Sequence, residues 1–241
     1  MKFLKHIVFL GLLLCAFVGH AQLTVPDYRM NVSYGGTSQD NFRNIEIGAN
    51  KDVINLLGKR LRLGLGLRLN WNRIPEASYT TALYQLQNTN DQFIDTFSFS
   101  QGSFFSGNLY INGEFYLLKK WSIGVNADLL GYGFGSRRRG TFRPGEDAQN
   151  AGVMTQKNIL YKSTRAAVFD FSNPEGNLTS QLFIRFDPTP RLSLRGGLAI
   201  SNVELHTPED RYGPDLYNRF GRRYSYFFGG ISIHFLQEEK E

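Results

Sequence analysis

One cysteine, Cys15, is all that 241 residues contain, and it lies in the first apolar stretch. If that stretch is removed on export, no thiol remains, which excludes disulfide staples and thiol chemistry. No cluster of His, Asp or Glu has zinc-site spacing, so neither a metal nor any other cofactor is expected. Beyond that first stretch there is no apolar run long enough for a spanning helix, which needs about 18 residues or more. Charge of one sign is also scarce. Without Lys2 and Lys5 the chain keeps 25 basic residues against 21 acidic ones. That balance is too mild to suggest nucleic acid as a partner.

The opening residues have the form of a secretory signal. Lys2 and Lys5 make a positive head, Ile7–Val18 an apolar core, and Gly19-His20-Ala21 a small-residue cleavage site. Residues 1–21 are therefore expected to be a signal peptide, and 22–241 a single mature domain beginning at Gln22. Lipid attachment at Cys15 is the alternative, disfavoured by Leu14 where a small residue is wanted. An exported chain without a spanning helix can still be integral to a membrane, but only as a closed barrel.

What the sequence does have is alternation. Leu61–Trp71 reads LRLGLGLRLNW, with large apolar residues at every odd position and Arg, Gly or Asn at every even one. Strict period two marks a strand with two unlike faces. Leucines toward lipid, with arginine and glycine inside, suit a transmembrane strand of about 9–11 tilted residues. The pattern recurs at Tyr28–Tyr34, Ile45–Asn50, Leu109–Leu117, Trp121–Leu129, Leu178–Asp187, Leu192–Ser201 and Tyr224–Phe235. It slips through Lys51–Leu57, where a bulge and a short helical turn are both open. Leu178 and Leu129 are expected on lipid-facing sides. Short turns at Gly58-Lys59-Arg60, Lys119-Lys120 and Pro188-Thr189-Pro190 alternate with long polar stretches at Ile74–Gln101, Gly131–Gly176 and Glu204–Arg222. Strand extensions are expected around Phe93–Phe99. Short turns on one side and long loops on the other are the habit of outer-membrane barrels.

Eight such strands resemble the small bacterial outer-membrane β-barrel superfamily. It includes the transmembrane domain of outer membrane protein A, the X-type barrels and the PorT-like barrels of the Bacteroidetes. The resemblance implies an all-β fold, an eight-stranded antiparallel up-and-down transmembrane β-barrel with short periplasmic turns and long extracellular loops. It implies the cell outer membrane as location, and barrel-insertion machinery that reads a terminal aromatic, here Phe235. Leu236–Glu241 follow it as a tail.

The inward faces place Arg29, Glu46, Arg62, Arg68, Glu114, Asp128, Arg185 and Arg195 in one interior. Eight strands leave just enough width for side chains to fill. A polar plug of paired charges is the expectation, and a narrow arginine-lined ion path the alternative. Arg137, Arg138, Arg139 and Arg143 follow strand five, and Arg222 and Arg223 enter strand eight at the same level. Guanidinium groups take phosphate in a bidentate way, so these six are candidates for lipopolysaccharide phosphates, with a merely solvated loop as the alternative. Tyr34 and Trp71 at one level, and Trp121, Phe186 and Phe235 at the other, fit two aromatic girdles. Lys59, Arg60, Lys119, Lys120 and Arg191 lie at the turns expected on the periplasmic side, where contact with inner-leaflet phosphates and ordinary turn solvation are both open.

Enzymatic signals are slight. Ser232 and His234 share a face, with Glu114 or Asp128 as orienting groups, but the spaced His-Ser signature of lipid A deacylases is missing. His206 reads as a lone surface histidine. Gly131-Tyr132-Gly133-Phe134-Gly135 has no helix pattern after it, so its glycines read as strand glycines rather than a phosphate loop. The expectation is a non-enzymatic integral outer-membrane barrel that anchors surface loops for structural or recognition roles. Its partners would be outer-membrane lipids, lipopolysaccharide and a protein bound through the loops. The alternatives are a small channel or carrier for hydrophobic or anionic solutes, and an accessory subunit of a secretion or assembly complex.

Overall fold

Alternation becomes strand wherever it is sustained. The computed structural model describes residues 28–37, 41–57, 60–81, 94–99, 101–135, 138–150, 154–163, 166–168, 176–207 and 219–235. The signal segment 1–21 and the tail after Phe235 lie outside them. Strands run β1 (Tyr28–Gly36), β2 (Arg43–Leu56), β3 (Leu61–Ile74), β4 (Ala77–Thr81), β5 (Thr96–Phe99), β6 (Gly102–Leu118) and β7 (Trp121–Phe134). They continue as β8 (Arg138–Arg143), β9 (Gln156–Ser163), β10 (Ala166–Val168), β11 (Thr179–Thr189), β12 (Leu192–His206) and β13 (Arg219–Phe235). One short helix, α1 (Glu146–Asn150), joins β8 to β9.

Eight long strands close a barrel in the order β1-β2-β3-β6-β7-β11-β12-β13, all antiparallel. Closure is made by β1 on β13, with Tyr28 opposite Phe235 and Gly36 opposite Phe227. A closed ring leaves no strand edge to be satisfied in lipid. The leucine face of β3 points outward: Leu67 is 65% exposed, whereas its neighbour Arg68 is 1% exposed. Burying arginine while presenting leucine inverts the rule for water-soluble folds, and lipid is the solvent that makes it favourable.

The irregular stretches expected between these strands hold further structure. Strand β7 continues to Phe134, β12 to His206, and β13 begins at Arg219. Strands β4, β5, β8 and β9 come from the two longest connections, and they pair β13-β4-β5-β8-β9-β12. Because β12 also pairs directly with β13, these six strands close a second, smaller ring on top of the first. Polarity reverses between the rings. The upper ring points Tyr79, Phe97, Phe99, Phe142, Tyr161 and Phe220 inward as a packed core. Its outer face carries Ser78, Thr80, Arg139 and Arg143. The lower ring is polar inside and apolar outside. The reversal along β12 and β13, from Ile200 and Phe227 to Asn202 and Arg223 on the outer face, marks where lipid ends and water begins.

Two bulges correct the expected faces. In β2 the register shifts between Asp52 and Ile54, so the slip at Lys51–Leu57 is a bulge that leaves Asp52 inside. In β7, Leu109 opposes Leu130 while Tyr110 opposes Asp128. Leu129 is the extra residue, and beyond it the lipid-facing set becomes Leu130, Tyr132 and Phe134. Leu178, expected toward lipid, is buried. It lies just before β11, at the junction with the upper ring.

Candidate functional site

Arg29 projects inward from β1 and reaches Glu114 of β6 at 2.6 Å, Asp52 of β2, and Asn112 at 3.2 Å. Arg185 of β11 holds the other oxygen of Glu114 at 2.5 Å and Asp187 at 3.0 Å. Arg62, partly exposed, meets Asp52 at 3.5 Å. Nearer the upper ring, Arg68 binds Glu46 at 3.0 Å and Asp128 at 2.6 Å, and donates to the Thr179 carbonyl at 2.5 Å. Arg195 closes on Glu46 at 2.6 Å. Each of these side chains projects into the barrel interior from its strand, which is why residues up to 149 positions apart meet.

Five guanidinium groups (Arg29, Arg62, Arg68, Arg185, Arg195) thus face five carboxylates (Glu46, Asp52, Glu114, Asp128, Asp187). Each guanidinium is a fixed cation, and leaving one unpaired in a low-dielectric interior is expensive. Equal numbers remove that penalty. Asparagines fill between the ions: Asn112 donates to Asn126 at 2.7 Å, Asn126 to Gln181 at 2.8 Å, and Gln181 to Glu46 at 2.8 Å. A void of about 10 Å³ remains mid-barrel among Asn31, Asn112, Asn126, Arg195 and Ser232, room for about one water. The eight residues expected in the interior all project there. Asp52 and Asp187 complete the ion set; the β2 bulge hid Asp52, whereas the alternation of Leu178–Asp187 already puts Asp187 on the inward face beside Arg185.

Ser232 and His234 share the inward face, as their spacing predicts, but His234 bonds elsewhere. Ser232 lines the mid-barrel void. His234 Nε2 instead lies 2.5 Å from Ser193 Oγ on β12, and that hydroxyl lies 2.6 Å from Asp187. The order His234–Ser193–Asp187 puts the hydroxyl between imidazole and carboxylate, whereas a catalytic triad puts the imidazole in the middle. Asp128 is taken by Arg68, and Glu114 by Arg29 and Arg185.

In the upper ring, Phe42 stacks on Tyr224 with ring centroids 4.4 Å apart and planes 11° apart. The Tyr224 hydroxyl meets that of Tyr79 at 2.8 Å. Burial beside that hydroxyl pushes the Tyr79 phenol well above its ordinary value. Asp95, between β4 and β5, accepts the Gly145 N–H at 2.8 Å. Its burial raises its carboxyl above the usual carboxylate range.

The six arginines expected to hold lipopolysaccharide are described only in part. Arg137, and the side chain of Arg138, lie outside the described residues. Arg139 and Arg143 are exposed on β8. Arg223 faces outward on β13 and holds Asn202 at 3.1 Å. Arg222 lies over the Tyr224 ring at 5.4 Å. The aromatic residues form two levels. One register row runs Tyr34–Ile45–Trp71–Phe105–Phe134 across five strands. At the other end Phe235 opposes Tyr28, and Trp121 packs on Phe186 at 4.6 Å. The 14 residues of β7 separate the two, which at about 3.3 Å per residue and a tilt near 45° is about 30 Å. Sequence reasoning missed Arg43 and Arg73, which oppose each other just above the upper row.

Two faces of opposite polarity, a closed wall and a belt at each end make this a transmembrane β-barrel. No family model and no curated protein matches the chain in sequence. Among solved structures it is similar to the outer membrane protein Ail of Yersinia pestis, at 10% identity and TM-score 0.39, covering 88% of this chain and 100% of that one. Neisserial surface protein A gives 10% identity and TM-score 0.36, covering 87% and 96%. A major outer membrane protein of Thermus thermophilus gives 12% identity and TM-score 0.36, covering 88% and 100%. At such values no property is transferred from them; the membrane assignment rests on the barrel's own faces.

Proposed function

We propose that this chain is a non-enzymatic integral barrel of the bacterial outer membrane, closed to solutes, that holds a folded recognition cap at the cell surface. The observation that carries the reading is the filled interior: five cations against five anions around a void of about 10 Å³. Above it the path is covered by the aromatic core of the upper ring. A barrel packed in this way is a rigid anchor. Rigid scaffolds commonly present recognition elements at their connections, and here those connections fold into a ring with a polar outer face. Arg139 and Arg143 on that face are suited to lipopolysaccharide phosphate or to an acidic protein partner. The absence of hydrolytic activity follows in this reading from Ser193, whose hydroxyl is held between His234 and Asp187.

Two measurements test this. Outer-membrane fractions should yield a band whose gel mobility changes on heating, and the purified protein should give no steady conductance in planar bilayers. Sustained large-conductance openings would overturn the closed-barrel reading in favour of a channel. A stoichiometric protein recovered from detergent pull-down would identify the cap's partner.

A further inference from the structure

Arg43 of β2 and Arg73 of β3 stand directly opposite each other on the outward face. Side chains so placed have Cβ atoms about 4.5–5.5 Å apart, and like charges there are destabilising. Among the described residues no carboxylate pairs with either. Arg43 leans the other way, over Gly36, and donates to the Thr37 carbonyl at 2.8 Å. Its guanidinium thereby caps a groove of about 490 Å³ in the outer wall at the seam between β1 and β13. Tyr34 and Phe227 wall the groove, and Gly35, Gly36 and Gly229 leave its floor low. Phe227 is 74% exposed, and a side chain added at Gly229 would meet nothing within 4 Å. The groove lies at the outer aromatic row, where acyl chains give way to headgroups.

We propose that this seam binds one bisphosphorylated lipid A of the outer leaflet. Arg43 and Arg73 take a phosphate, and one acyl chain lies along the groove between Tyr34 and Phe227. The argument is charge complementarity. Arg43 and Arg73 stand at paired backbone positions with no carboxylate between them, and a phosphate can accept from both once Arg43 turns from the Thr37 carbonyl toward it. The apolar groove directly beneath requires that the anion carry a chain. This inference rests on the outer-membrane reading for its side of the bilayer. It differs in location from the cap arginines, and that separates the two experimentally.

The full-length mature protein, purified in mild detergent, would be titrated with bisphosphoryl hexa-acyl lipid A or with phosphatidylglycerol and followed by native mass spectrometry. Four proteins are compared: wild type, Arg43→Gln/Arg73→Gln, Gly229→Leu and Arg139→Gln/Arg143→Gln. Heat-modified gel mobility confirms that each is folded, independently of lipid binding. Wild type should retain one lipid A at the seam, and the Arg139/Arg143 variant should keep that one even where it loses a second lipid A held by the cap. The Arg43/Arg73 variant should bind about ten-fold more weakly through loss of charge-assisted bonds. Gly229→Leu should also weaken binding, although no charge has changed. Equal retention by wild type and the Arg43/Arg73 variant would overturn the proposal. So would loss confined to the Arg139/Arg143 variant, equal binding of phosphatidylglycerol, or a second protein copy in place of the lipid.

Discussion

Asn126 and Gln181 meet at 2.8 Å between β7 and β11, and that bond joins two ion clusters into one. Through Asn112 it reaches Arg29, Glu114 and Arg185; through the Gln181 amide it reaches Glu46, Arg68 and Arg195. Truncating Asn126 to Ala leaves one neighbour on each side short of a partner. Each buried polar group so orphaned costs about 1–3 kcal/mol. The expected result is a loss in that range, read as a shift in urea unfolding in lipid vesicles.

Glu46 is the more vulnerable point of the same network, because three partners converge on it. It receives Arg68 at 3.0 Å, Arg195 at 2.6 Å and Gln181 at 2.8 Å. Glu46→Ala should destabilise by about 3–5 kcal/mol, the cost of a buried cation left without its anion. Glu46→Ala/Arg195→Ala should cost less than the two single changes added, since the second removes one of the stranded charges. Simple additivity in that cycle would show that the pair is not coupled.

Two neighbouring glycines should behave oppositely. An added Cβ at Gly197 on β12 would lie 2.0 Å from the Leu182 carbonyl oxygen and 2.7 Å from the Phe183 Cα, both backbone atoms that cannot turn away. Gly229 on β13 points to lipid with nothing within 4 Å. Gly197→Ala should therefore lower the temperature at which the folded gel band disappears, by an overpacking cost of about 1–3 kcal/mol. Gly229→Ala should leave that temperature nearly unchanged.

The lower ring was legible because a transmembrane strand repeats one rule for its whole length. Leu61–Trp71 declares both faces, and the same rule placed Arg29, Glu46 and Arg195 inside before any pairing was known. A bulge breaks the rule by one residue, which is why Asp52 was missed and why the lipid-facing set after Leu129 shifts to Leu130, Tyr132 and Phe134. The upper ring is harder for a different reason. Its core draws Tyr79, Phe97, Phe142 and Tyr161 from short strands in two separate connections. Each strand is too brief to show a period, and what stabilises it is a non-local partner. Phe97-Ser98-Phe99 was the one local hint. Arg43 and Arg73 look unremarkable in sequence because nothing there says they are opposed.

If the upper ring is a cooperative unit with its own core, it should be separable from the barrel in stability. Phe97 is fully buried and packs on Tyr161 at 5.3 Å and Phe220 at 5.3 Å. Phe97→Ala removes about 3–5 kcal/mol of packing at that point. Proteases added to intact vesicles should then cut within β4–β9 while the barrel keeps its heat-modifiable mobility. Loss of both together would mean that the rings fold as one.

Asp95 gives the upper ring a pH dependence whose sign follows from its burial. The carboxyl accepts the Gly145 N–H at 2.8 Å, but desolvation outweighs that bond and raises its pKa. A folded-state value above the unfolded one means that the folded cap binds the proton more tightly. Stability is then greatest in acid and falls as pH rises from the ordinary aspartate value through the raised one. Asp95→Asn keeps an oxygen for Gly145 and removes the charge. Amide exchange across β4, β5 and β8 should show wild-type protection declining as pH rises above the ordinary aspartate value of about 4, after correction for intrinsic exchange. The Asn variant should hold its protection over that range and match or exceed wild type at neutral pH. Wild-type protection that rises with pH would mean the carboxylate is stabilised in place, with the Gly145 bond outweighing the loss of water.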